Sequence, residues 1–420
     1  MNIAIVGTGI SGMVAAYLLH KDHTISVFEA ADYIGGHTNT IDVTLDGQTY
    51  SVDTGFIVFN DWTYPHFIRL LDELGVPSQP SDMSFSVKCD ETGLEYNGTS
   101  LNTLFAQRRN LFRPSFFRMI CDILRFNREA PALLSGSEPG QSLGSYLEQH
   151  RYSKEFVRNY ILPMGAAIWS ASPATMWEFP ARYLVQFFKH HGMLSVDDRP
   201  TWRVITGGSQ RYVDKLVRLF RDRILLSTPV SSIVRRPDLV ELRAVPKGGA
   251  ARTFTFDAVV LATHSDQSLR LLADPSPEER EILGAISYQE NEAVLHIDSS
   301  LLPRRRLAWA AWNYHLLPIQ PDRAVVTYHM NRLQRLTAPH EFCVTLNHTD
   351  AIDPAKIIRR ITYHHPRYSP AAVAAQRRQG DISGVNRTYY CGAYWGYGFH
   401  EDGVKSALAV HRSIKDEKKS

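Results

Sequence analysis

Asn2–Val6 (NIAIV) is an apolar run of the kind found in a strand buried in a parallel sheet. Three closely spaced glycines follow, then Met13–His20 (MVAAYLLH) predicts a helix and His23–Phe28 (HTISVF) a second strand ending at Glu29. Strand, turn, helix and strand in that order make a βαβ unit. The pattern changes after about residue 60. His66–Leu74 predicts a helix, and Ser84–Leu101 short strands that turn at Gly93 and Gly98. Thr103 to about His191 reads as mainly helical, broken by Pro114, Pro131, Pro163 and Pro180. Near Arg203 the first pattern resumes: Gly207-Gly208, a helix over Gln210–Phe220 and a strand at Ile224–Leu226. A meander over Val230–Val234, Leu239–Val245 and Arg252–Phe256 then leads to a buried strand, Asp257–Thr263. Later segments mix helix and strand, Ala293–Ile297 and Ala324–His329 being the clearest strands. A last core strand, Thr388–Ala393, and a final helix, Asp402–Ile414, precede a low-complexity tail, Lys415–Ser420, expected to fray.

This order predicts an α/β fold in which a Rossmann-type nucleotide-binding domain (1–60, 203–265 and 386–420) is interleaved with an α+β substrate domain. The substrate domain takes 61–202, largely helical, and 266–385. The length of 420 residues suits two domains better than one core. Hydrophobic residues at 44% and charged residues at 21% are those of a globular chain. A net charge of +3 argues against nucleic acid as partner. Cys89, Cys121, Cys343 and Cys391 stand at no metal-ligand or CxxC spacing and read as reduced thiols of a cytoplasmic protein. The apolar N-terminus lacks the basic region of a signal peptide, and no run approaches a membrane span. HExxH and P-loop motifs are missing, and the pairs His190-His191 and His364-His365 are adjacent, so no metal site is expected.

Gly7-Thr8-Gly9-Ile10-Ser11-Gly12 is G-x-G-x-x-G between strand and helix. Gly7 permits the turn, Gly9 lets the backbone approach a diphosphate, and Gly12 lets helix and strand pack closely. Ile10 and Ser11, between these glycines, are expected to contact the cofactor, and the helix N-terminus that follows offers phosphates free N–H groups and a positive dipole end. Glu29, followed by Ala30, can accept hydrogen bonds from a ribose 2′-OH and disfavours a 2′-phosphate, hence NADP.

Glu29, AADYI and then Gly35-Gly36-His37-Thr38 resemble the second FAD signature of the flavin-containing amine oxidase superfamily, E-x5-G-G-[RH]-x-T. That group includes monoamine oxidases, protoporphyrinogen oxidases and carotenoid desaturases. Asp53-Thr54-Gly55-Phe56 resembles its D-x-G strand, Thr206–Ser209 its Gly-Gly element, and Val259–His264 its V-V-x-A-T-P segment, with His264 in place of Pro. Tyr390–Gly403 (YCGAYWGYGFHEDG) resembles the closing FAD motif, with Asp402 where many relatives have Gly. The resemblance implies noncovalent FAD. Its contacts would include Thr54, Gly55, Val230, Thr263, Gly392 and Gly398, together with the helix start at His400 and Glu401 facing the flavin pyrimidine. Asn291–His296 (NEAVLH) and Trp312–Tyr314 (WNY) are similar to segments of a bacterial amine-oxidase-like group encoded beside cyclopropane-fatty-acid-synthase-like enzymes.

The resemblance also raises the question of the catalyst. Many amine oxidases carry a Lys where the strand here reads Ala293-Val294-Leu295-His296. His296 is either a proton acceptor in its place or a strand-end histidine satisfying its surroundings. Phe399 matches an aromatic-cage position that is usually Tyr, and Trp169, Trp312 and Tyr314 are further candidate walls or core residues. Without the Lys and the Tyr hydroxyl, dehydrogenation of an acyl or isoprenoid-like chain is favoured over amine oxidation. An amine oxidase proper, a non-redox flavin isomerase or mutase, and a scaffold holding FAD structurally are the alternatives. Residues 105–128 alternate Arg with Phe, either as a helix lying on an anionic membrane or as a surface helix with one buried face.

Overall fold

The computed structural model describes residues 1–135, 140–319 and 322–417. The N-terminal apolar run becomes the centre of a five-stranded sheet, in the order Ile224–Leu225, Thr24–Phe28, Asn2–Val6, Ala258–Leu261, Thr388–Tyr390. Every neighbouring pair is parallel. Because side chains alternate across a strand, the central run feeds two cores. Ile3 and Ile5 meet Met13 and Val14 of the first helix (Ile10–Leu19) and Val404, Ala407 and Val410 of the last helix (His400–Glu417). Ala4 and Val6 meet the antiparallel meander Val230–Arg235, Val240–Ala244, Arg252–Phe256 through Ile233 and Leu242. The first helix begins at Ile10, three residues ahead of the expected start, because Gly9 is extended (φ −62°, ψ 172°) and can serve as its N-cap. The last helix also begins earlier, at His400, and runs to Glu417, while residues 418–420 of the expected fraying tail lie outside the described residues.

A second sheet of seven strands runs in the order Ile357–Pro366, Tyr288–His296, Cys343–Leu346, Val326–His329, Trp312–Leu316, Phe85–Cys89, Leu94–Asn97. Phe85–Cys89 pairs in parallel with Trp312–Leu316, joining segments more than two hundred residues apart. The helices of the 114–190 region cover one face. Phe156, Met176, Leu184 and Phe188 share a core there with Ala293, Leu295, Val344 and Leu346. Two of the four prolines expected to break this region start helices instead: Pro114 sits in the first turn of Pro114–Glu129, where a missing N–H costs little, and Pro180 is the N-cap of Ala181–His190.

The continuous amphipathic helix expected over 105–128 is two elements, a 3-10 turn at Arg108–Phe112 and an α-helix at Pro114–Glu129. Pro114 can open a helix but cannot continue one. Phe116, Met119 and Phe126 of that helix are buried. No described helix is long and apolar enough to cross a membrane.

Candidate functional site

A cavity of about 650 Å³ lies between the two sheets. Its floor is the glycine turn. Gly7 has φ +103°, and a β-carbon there would stand 2.8 Å from the carbonyl oxygen of Ala262, so only glycine fits without strain. Gly9 is the opposite case: a β-carbon would meet nothing within 4 Å and would project into the cavity. That is the space a diphosphate needs, beside the unpaired amides that open the first helix. Gly36 (φ +59°) brings a second glycine turn against the first, its β-carbon position lying 3.0 Å from Gly9 Cα. The Glu29 carboxylate accepts from Thr8 N (2.8 Å), Thr8 Oγ1 (2.5 Å) and Ala31 N (2.8 Å), which fixes it at the end of its strand. A nucleotide diphosphate with its ribose fits this cradle.

Of the residues expected to hold the cofactor, Gly7, Gly9, Ile10, Ser11, Glu29, Ala30, Gly35, Gly36, His37, Thr54, Gly55, Val230, Thr263, Gly392, Gly398 and His400 line the cavity. Three do not. Gly12 faces the strand: a β-carbon there would collide with the carbonyl oxygen of Gly7, so its contribution is close packing. Thr38 is buried behind the wall and hydrogen-bonds Tyr212 OH (2.6 Å) and His400 Nε2 (3.0 Å). The Glu401 side chain turns away and accepts from His66 N (3.3 Å) and Phe67 N (2.9 Å), capping the helix Pro65–Leu74. His400 is itself clamped, its ring stacked on Phe56 with centroids 3.4 Å apart. Asp402 closes the preceding aromatic loop by accepting from Phe399 N (3.1 Å), and burial pushes its carboxyl up to about 6. Cys391 is fully buried beside the cavity-lining Gly392, and burial pushes its thiol up to about 12.

His296 needs correction as a catalytic candidate. It lines no part of the cavity and is fully buried. Its Nε2 is bonded to Thr345 Oγ1 (2.7 Å), and its Nδ1 accepts from Asp298 N (3.0 Å). Ala293 and Leu295 enter the core under the helices, whereas Val294 packs with Leu301 and Ile352, and His296 lies on that same far face. Burial pushes its imidazole down to about 4. Phe399 does line the cavity, stacked on Phe187 with centroids 5.4 Å apart. Trp169 and Trp312 also line it, but Tyr314 is enclosed in the core.

Other walls carry no motif. Ile57, Val58, Ile168, Tyr328 and Leu346 meet there from four separate segments. The one available signal was alternation within strands, which gives a face but not what it faces. Near the glycine turns stand His37, His264, His364 and His365, with His37 to His365 at 5.4 Å and His37 to His264 at 6.2 Å between centroids. His264 stacks on Tyr288 (4.3 Å) and His37 on Tyr363 (4.9 Å). Burial lowers His37 to about 4, and His264 and His365 to about 3, so all three are neutral at neutral pH.

Comparison with known proteins agrees with this geometry. The whole fold is similar to that of cyclohexylamine oxidase from Brevibacterium oxydans IH-35A, with a TM-score of 0.71 and 15% identity over 100% of this chain and 99% of that one. It is similar to putrescine oxidase bound to putrescine, with a TM-score of 0.70 and 16% identity over 99% of each chain. It is also similar to a CLA-producing fatty acid isomerase from P. acnes, with a TM-score of 0.67 and 18% identity over 98% of each chain. No curated protein matches the sequence significantly. The model of the flavin containing amine oxidoreductases matches residues 10–297, well over half of the chain. With its glycine cradle and α/β architecture, this chain belongs to the flavin-containing amine oxidoreductase family and is an FAD-dependent oxidoreductase.

Proposed function

We propose that the protein dehydrogenates a largely apolar, lipid-like substrate at the end of the cavity formed by Trp169, Trp312, Tyr328 and Phe399. One observation carries this reading. Among the described residues lining the cavity, Glu29 supplies the one carboxyl group and Arg270 the one guanidinium. Glu29 is bound by Thr8, and Arg270 is paired with Asp266 (2.8 Å) on the helix beside the glycine turns. The aromatic end therefore offers an incoming ammonium group no carboxylate, while Ile57, Val58, Ile168 and Leu346 offer an alkyl chain contact and exclude water.

FAD, when bound, supplies the acceptor for hydride from a C–H bond. We assign its diphosphate to Gly9, Ile10 and Ser11, its ribose to Glu29, and its far end to Gly392, Gly398 and the amide at His400. The chain's own part is to orient the substrate between Trp169 and Phe399 and to keep that space dry. Among the described residues, no lysine lines the cavity, which fits a substrate whose oxidation needs no water activated beside the ring.

The test is anaerobic mixing of the purified yellow protein with long-chain unsaturated fatty acids and isoprenoid alcohols on one side, and putrescine and benzylamine on the other. Bleaching of the flavin by a fatty or isoprenoid chain supports the reading. Bleaching by amines alone overturns it. Migration of a double bond with no net bleaching would also overturn it, in favour of an isomerase on the same fold.

A further inference from the structure

The charged and apolar residues singled out over 105–128 are joined in space by a segment two hundred residues away. Arg306–Ala308 forms a short turn that packs beside the helix Leu101–Leu104 and the strand Leu94–Asn97. The turn is held firmly. The buried Glu95 carboxylate accepts from Arg304 N (2.8 Å) and Arg305 N (3.2 Å), and Asn97 Nδ2 donates to Trp309 O (2.9 Å). The Arg304, Arg305 and Arg306 side chains are left exposed next to Leu307. Arg108 braces the neighbouring turn by donating to Phe105 O (2.8 Å) and Asn102 Oδ1 (2.6 Å). Phe105 in turn touches Phe117 of the following helix, with centroids 5.8 Å apart.

Two properties coincide on this surface. Leu101 is 77% and Phe112 87% exposed, with Leu111, Phe117 and Leu307 partly so. Single exposed apolar residues are ordinary, but five on adjoining segments are not. Among the described residues, none of Arg108, Arg109, Arg304, Arg305 and Arg306 forms an ion pair with a carboxylate. A nucleic-acid surface would want the charge without the apolar side chains, whereas a bilayer interface takes both: headgroup phosphate for arginine, the acyl boundary for Phe and Leu.

We propose that this face, presenting Leu101, Phe112 and Leu307 among Arg108, Arg305 and Arg306, docks the enzyme on an anionic phospholipid bilayer. The claim is independent of the substrate class, because it rests on the outer surface and not on the cavity. The helix Pro114–Glu129 serves as a support, anchored through its buried Phe116, Met119 and Phe126, and the insertion is made mainly by the short turns before it and beside it.

The test is sedimentation of the flavin-loaded protein with vesicles of phosphatidylcholine alone and of an equimolar mixture with phosphatidylglycerol. Pelleting with the mixture but not with phosphatidylcholine is expected. R305Q/R306Q should weaken it by at least tenfold, since each basic residue near such a surface contributes about fivefold. F112S should weaken it by roughly tenfold at unchanged net charge. Retained flavin absorbance identifies folded variants. F112W, quenched by brominated acyl chains on vesicle addition, reports insertion without removing the side chain. Absence of pelleting, pelleting indifferent to both variants, or an unquenched Trp at position 112 overturns the proposal. Loss in R305Q/R306Q with none in F112S would mark a site for soluble polyanions instead, and overturns it equally.

Discussion

Gly403 and Ile10 meet so closely that a β-carbon on Gly403 would stand 2.6 Å from Ile10 Cγ2. The same carbon would lie 2.9 Å from Ser11 Oγ. The first turn of the last helix therefore rests on the first turn of the first, and two helix N-termini open on one cavity. Gly403→Ala must push these turns apart. Its expected cost is about 1–3 kcal/mol, as for overpacking elsewhere. Thermal unfolding and flavin content per chain should fall together.

Gly9→Ala should separate those two readouts. Gly9 has φ −62°, which alanine adopts freely, and its β-carbon meets no protein atom within 4 Å. The apoprotein should unfold within about 0.5 kcal/mol of the parent. Flavin binding, measured by quenching of added FAD fluorescence, should weaken by an order of magnitude or more, because the methyl group occupies the diphosphate's approach.

His296→Ala is expected to destabilise without slowing the chemistry. It leaves Thr345 Oγ1 and Asp298 N short of a buried partner, a loss of about 1–3 kcal/mol. Urea unfolding should show that loss, while the rate of anaerobic flavin reduction stays at the parent value. A reduction rate down tenfold or more in folded protein would return His296 to the catalytic site.

Arg235 and Glu279 form a bidentate pair, each side chain 2% exposed, at 2.5 and 2.9 Å. Tyr390 OH donates to the same carboxylate at 2.5 Å. Arg235, Tyr390 and the Ser276 amide hold the Glu279 carboxyl below the usual range against the opposing effect of burial. Arg235→Met strands that carboxylate and should cost about 3–5 kcal/mol in denaturant unfolding. Arg235→Met combined with Glu279→Met should recover much of the loss.

Acid should weaken the apoprotein before its exposed carboxylates titrate. Burial pushes His37, His191 and His296 down to about 4, and His264 and His365 down to about 3. In the unfolded chain each takes up a proton near pH 6.5. Below that pH the unfolded state binds more protons, so stability complete at pH 7 is lost as pH falls towards the folded values. Asp53 and Asp402, raised to about 6 by burial, act in the opposite sense below pH 6, but the lowered imidazoles, His400 among them, outnumber them. Urea midpoints of the apoprotein should drop between about pH 6.5 and 4.5. A flat profile would place these rings in water.

The nucleotide cradle is legible in the residues alone. Gly7, Gly9, Gly36 and Glu29 act through backbone freedom and hydrogen bonds made within about thirty residues, so their spacing carries the geometry. Phe399 and His400 line the cavity from one stretch of chain, because strand, aromatic loop and helix start form a local unit. The substrate end is not legible in this way, because it depends on how distant strands and helices pack. Trp312, Tyr328 and Leu346 come together because the seven-stranded sheet sets Trp312–Leu316, Val326–His329 and Cys343–Leu346 side by side, and Ile57 and Trp169 reach the same cavity from elsewhere in the chain. Tertiary packing decided His296 as well: one residue along a strand is a change of face, and which face meets the cavity is set by what packs on the other. Local backbone requirements are written in neighbouring residues, whereas a cavity wall depends on which distant faces come together.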